Sequence, residues 1–188
     1  MAVYSDAPLH GIGRGPEEKM RIYLGCEKAD DTSYDFKKGG VKFEYKHSGL
    51  HLTNKRSTRQ PGREPTRTWS FRSLRGRGGK KEYHHLILEG ERGDQGDAFF
   101  FLISFTELNK VLPDKNDLSV TWPHRPERVR GCTKFVWDHV VGKEQLKAQV
   151  DEYASSSAHA SHPPKSPEVS KSAATNRGIQ RLLPFDTP

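Results

Sequence analysis

The spacing of apolar residues changes period several times along the chain. Met20, Ile22, Tyr23, Leu24 and Cys26 cluster behind Pro16-Glu17-Glu18. Proline suits the first helical turn and acids there complement the helix dipole, so a helix is predicted to open at Pro16. Asp30-Asp31-Thr32-Ser33 breaks it. Tyr34-Asp35-Phe36 reads as a short strand, and Lys37-Lys38-Gly39-Gly40 as a tight turn. Residues 41–46 then alternate with period two: Val41, Phe43 and Tyr45 fall on one face, Lys42, Glu44 and Lys46 on the other. Residues 67–74 and 83–89 read as further strands, separated by a basic turn over 75–81. The run at 98–105 (AFFFLISF) is nearly all apolar, which predicts a central strand covered on both faces. Thr106-Glu107 starts a helix through Leu108, Val111 and Leu112, and residues 135–153 predict a closing helix. This order of elements predicts an α/β fold with a mixed β-sheet flanked by helices.

Periodicity stops near Tyr153. From Ser155 the chain is rich in Ser, Ala and Pro. Such a segment buries too little apolar surface to offset the entropy of ordering. The predicted organisation is therefore a folded domain over 1–154, a disordered linker over 155–179 and a short terminal peptide over 180–188. At 188 residues there is room for one domain with a tail. No apolar run approaches the ~20 residues of a membrane helix, and the first fifteen residues lack the apolar core of a secretory signal. Cys26 and Cys132 are too few for a disulfide framework or a four-cysteine zinc site. The expectation is a cytoplasmic protein with reduced thiols.

Charge adds a location for function. The formal net charge is +7. Lys55, Arg56, Arg59, Arg63, Arg67, Arg72, Arg75, Arg77, Lys80 and Lys81 are opposed within 51–82 only by Glu64 and Glu82. A segment that basic suits a polyanion, most simply a nucleic-acid backbone, and its excess of arginine favours forked phosphate contacts. Trp69 and Phe71, within a predicted strand, read as core before base-stacking groups.

Glu44 and Lys46 are two residues apart and project side by side from one strand face. Asp35 precedes them across a short turn, so its carboxylate can meet that of Glu44. Two carboxylates and an ammonium at one point suit metal-assisted phosphodiester hydrolysis: oxygens for a hard divalent ion, and a lysine for the water or the phosphate.

An Asp on one strand followed by Glu-X-Lys on the next resembles the PD-(D/E)XK nuclease superfamily, the restriction-endonuclease-like fold. The resemblance spans roughly residues 17–112. It implies a Mg²⁺-dependent endodeoxyribonuclease, with Mn²⁺ as a substitute. Asp35 and Glu44 would be metal ligands, with the backbone carbonyl of Tyr45. Lys46 would be the catalytic lysine, and Glu18, in preference to Glu17, the helix acid. The family's proline before the aspartate is Tyr34 here. A double-strand cutter of this size would often act as a homodimer, although no dimer seam is legible. The competing reading is a non-catalytic nucleic-acid-binding module.

Other motifs carry less. His84 and His85 point to opposite strand faces, and no histidine pair forms a compact zinc motif. Gly11-Ile-Gly-Arg-Gly15 has no preceding strand and no Gly-Lys-Ser/Thr, so it does not read as a nucleotide loop. At the far end, Gln180, Leu183, Pro184 and Phe185 form apolar anchors on a polar leash, which suits docking into a hydrophobic pocket. The peptide resembles the sliding-clamp-binding motif of bacterial replication and repair proteins, with Arg181 where leucine is usual. Clamp docking would imply a nucleoid-associated enzyme of repair or replication-linked processing. Without it, restriction or defence is as natural.

Overall fold

The structure is a computed structural model that describes residues 15–53, 66–93, 97–122 and 131–160. It is a mixed α/β domain. Helix α1 spans Pro16–Leu24, with Pro16 in its first turn and Gly25 in the left-handed conformation after its end. Strands β1 (Glu27–Lys28), β2 (Phe36–Lys38) and β3 (Val41–Gly49) follow. Gly39 and Gly40, with φ of 54° and 82°, close the β2–β3 hairpin. Two consecutive left-handed positions are what a tight hairpin turn demands and what glycine supplies without strain.

The chain then leaves this sheet for β4 (His51–Thr53) and β5 (Thr66–Phe71), and returns as β6 (His85–Arg92) and β7 (Asp97–Ser104). Helix α2 (Phe105–Val111), strand β8 (Leu118–Trp122), helix α3 (Gly131–Trp137), strand β9 (Val140–Val141) and helix α4 (Lys143–Ala160) complete it. The larger sheet has the order β1-β2-β3-β6-β7-β9 and is mixed: β3 and β6 are parallel, and the other pairs are antiparallel. A second sheet, β4-β5-β8, is antiparallel.

Two apolar clusters cover the larger sheet. On one face, Met20 and Leu24 of α1 and Leu146 and Val150 of α4 pack on Phe36, Phe43, Tyr45, Ile87 and Phe100. On the other, Leu86, Leu88, Phe101 and Ile103 meet Trp69, Phe71, Leu118 and Val120 of the second sheet, with Trp137 of α3. Strand β7 contributes to both clusters, as its unbroken apolar run predicts. Trp69 and Phe71 are core residues.

Two expectations are corrected. The closing helix over 135–153 is two helices. Asp138 and His139 turn the chain, Val140-Val141 pairs with β7, and the Gly142 carbonyl accepts from the Leu146 N–H as α4 begins. Helix α4 continues to Ala160, beyond the boundary expected at 154. The second sheet is an addition to the expected architecture: β4 is three residues long and β8 five. The remaining tail, with Gln180, Leu183, Pro184 and Phe185, lies outside the described residues. Among the described residues no helix is long and apolar enough to cross a membrane.

Candidate active site

The β2–β3 hairpin builds one side of the site. The Asp35 N–H donates to the Phe43 carbonyl at 3.0 Å, which extends the hairpin pairing one residue beyond β2. The Asp35 carboxylate then accepts from the Tyr45 N–H at 2.8 Å. In a strand, a residue's N–H and C=O point to the same side. The Tyr45 carbonyl therefore faces the edge that carries the Asp35 carboxylate. The Tyr45 ring lies on the opposite face of the sheet, where its hydroxyl donates to Glu89.

Glu44 turns to the inter-sheet face and is fully buried. Lys46, next on that face, contacts Glu44 Oε1, and its Nζ lies 3.9 Å from Asp35 Oδ2. The structure thus brings Asp35, Glu44 and Lys46 together. It adds a residue the sequence reading had put elsewhere: Lys81 Nζ lies 2.8 Å from Glu44 Oε2 and 3.2 Å from Asp35 Oδ1. Lys81 was grouped with the phosphate-binding cations, yet its side chain is only 17% exposed and points into the carboxylates.

The electrostatics follow from this crowding. Burial, and then the Asp35 charge, push the Glu44 carboxyl above its usual range, against the pull of Lys46 and Lys81. Burial acts to lower the Lys81 ammonium, but the hydrogen bonds and charges of Glu44 and Asp35 outweigh it and raise it. Both Glu44 oxygens are in contact with a lysine ammonium, Oε1 with Lys46 and Oε2 with Lys81.

Helix α1 carries two acids in its first turn, Glu17 and Glu18. Glu18 is held by Arg21, whose Nε and Nη2 donate to its two oxygens at 2.8 Å each. Glu17 interacts with Asp35, Lys46 and Lys81, and burial and Asp35 raise its carboxyl. Of the two acids, Glu17 is the one whose carboxyl feels the charges of Asp35, Lys46 and Lys81.

The basic segment divides. Lys55, Arg56, Arg59 and Arg63 lie outside the described residues, as does the side chain of Arg77. Arg67, Arg72 and Lys80 are exposed. Arg75 makes internal hydrogen bonds through its guanidinium. It donates to Asn109 Oδ1 at 2.5 Å, to the Leu112 carbonyl at 2.8 Å and to the Lys115 carbonyl at 3.2 Å. It thereby ties the basic turn to α2 and to the loop that follows it.

The donors at the cluster are hard oxygens, the set that suits Mg²⁺ or Mn²⁺. Among the described residues, no group of three His, Cys, Asp or Glu side chains is placed to hold a metal. Two carboxylates and one carbonyl are what the site offers. Cys26 is buried, and burial pushes its thiol up to about 11. No protein-family model matches the chain, and no curated protein or solved structure matches it.

Proposed function

We propose that the chain is a metal-dependent nuclease that hydrolyses DNA phosphodiester bonds on a restriction-endonuclease-like core. The observation that carries this reading is the convergence of Asp35, Glu44 and Lys46 from one hairpin. Asp35, Glu44 and the Tyr45 carbonyl would hold Mg²⁺ or Mn²⁺. When bound, the ion supplies a hydroxide nucleophile and stabilises charge on the phosphate. Lys46 orients or deprotonates the attacking water from the same strand face. Glu17 bounds the site from α1. Arg67, Arg72 and Lys80, all exposed, are cations of the 51–82 segment that would contact the DNA backbone.

The test uses plasmid, single-stranded and branched DNA with Mg²⁺, Mn²⁺ or EDTA. Glu44→Ala and Lys46→Ala are each expected to reduce cleavage by roughly 100-fold or more. Cleavage that persists in both variants refutes the assignment. A second reading, a non-catalytic nucleic-acid-binding module, is favoured by the closed balance of two carboxylates against two lysines. Binding without cleavage in any metal would establish it. Deleting residues 180–188 tests clamp docking through Gln180, Leu183, Pro184 and Phe185, and hence a role in repair or replication. Unchanged clamp affinity would leave restriction or defence as the setting.

A further inference from the structure

Lys81 is held in the carboxylate cluster by its loop, in three independent ways. The loop is moored by the Arg75 guanidinium at the end of α2, and the Lys81 N–H donates to the Arg75 carbonyl at 3.1 Å. One residue later, the Glu82 N–H donates to the Ser33 carbonyl at 2.9 Å, which ties the loop to the chain just before Asp35. A Cβ on Gly76 would sit 2.8 Å from Lys81 Cγ, so the absent side chain is what lets the lysine stem pass. A surface cation meant only for phosphate would need none of this.

The ammonium that results lies between Asp35 Oδ1 and Glu44 Oε2, the two carboxylates that would hold a divalent ion. We propose that Lys81 is a resident cation of this site: it neutralises Asp35 and Glu44 in the metal-free protein, and a divalent ion binds there by displacing it. The proposal rests on the nuclease reading. Without a counter-ion, a buried Glu44 beside Asp35 would carry two like charges in a poorly solvated space. Lys46 offsets one of them and Lys81 the other. The same contacts make Lys81 a competitor for the ligands. The turn before it, with Gly76, Gly78 and Gly79 all at positive φ, is glycine-rich where the lysine would have to swing away.

The test is Mn²⁺ binding by calorimetry on the full chain, together with thermal melts with and without Mn²⁺. Lys81→Met is expected to bind Mn²⁺ about tenfold or more tighter than the parent. Its melting temperature should fall without metal and recover with it, since an ion that binds only the folded chain stabilises it. Gly76→Ala keeps the lysine but obstructs its stem, and should shift Mn²⁺ affinity in the same direction. Damage to the fold would weaken binding, so the sign separates competition from a structural role. If Lys81→Met binds no tighter than the parent while Glu44→Gln abolishes binding, the displacement idea is overturned and the nuclease reading stands. If neither the parent nor Lys81→Met shows Glu44-dependent Mn²⁺ binding, the metal reading falls and this proposal with it.

Discussion

Gly90→Ala is the sharpest test of how the two sheets are joined. Gly90 lies in β6, which is hydrogen-bonded to β3 on one side and β7 on the other, so its backbone has little room to shift. A Cβ there would stand 2.6 Å from Trp69 Cδ2 and 2.7 Å from Cε2. The indole has little room either. It is fully buried, its ring lies 5.7 Å from those of Phe99 and Trp122 and 6.0 Å from that of Trp137, and its Nε1 donates to the Glu91 carbonyl at 3.0 Å. Overpacking of this kind costs about 1–3 kcal/mol, and straining the indole hydrogen bond about 1 more. The sum is on the order of 3 kcal/mol, which lowers Tm by roughly 6–12 °C in a domain of this size. Calorimetry or urea denaturation followed by tryptophan fluorescence reads it. In a double-mutant cycle, Trp69→Leu should relieve part of the Gly90→Ala cost, giving non-additive losses. A Tm change under about 2 °C, or full additivity, would refute the claim that the sheets interlock here.

Three further outcomes are expected. Arg75→Ala should cost about 2 kcal/mol of stability while leaving the salt dependence of DNA binding unchanged, whereas Arg72→Ala should reduce that slope by about one counterion; equal slopes in the two variants contradict the division of the basic segment. Glu17→Gln should slow cleavage and move the acid limb of the pH–rate profile, and Glu18→Gln should do neither; the reverse order would return the helix acid to Glu18. Burial, with the His84 charge, depresses His85 to about 4, so its stabilising effect is complete above its unfolded pKa near 6.5 and is lost as pH falls through 4. Allowing for solvent screening at a group only partly buried, the loss is about 1 kcal/mol, and His85→Phe should remove it from the stability–pH curve. Parallel curves for the two proteins would contradict that.

What could be read from the chain was short-range. The alternation of Val41, Phe43 and Tyr45, the Gly39-Gly40 turn and the apolar run of β7 each fix an element within a few residues, and each is present. The break at Asp138–His139 was not legible because Trp137 to Val150 keeps a plausible helical spacing. What decides it is the pairing of Val140-Val141 with Phe101 and Phe100, some forty residues earlier. The second sheet was missed for the same reason. Leu118, Val120 and Trp122 alternate with Ser119 and Thr121 as a strand does, but only the register against β5, Trp69 opposite Val120, shows what it pairs with, and it buries both.

The site shows the same division and adds one about charge. Glu44 and Lys46 share a strand face and Asp35 sits across one turn, so their meeting is a local consequence of period two. Glu17 against Glu18 is a matter of helix phase. One position is about 100° of rotation, and Arg21, three residues on, captures Glu18. Lys81 is different in kind. Counting charge over 51–82 finds where cations are dense but is blind to where they point. Arg75 and Lys81, at the ends of one basic turn, both face inward, one to helix carbonyls and one to carboxylates. A run of arginines and lysines therefore overstates a nucleic-acid surface wherever its backbone is moored.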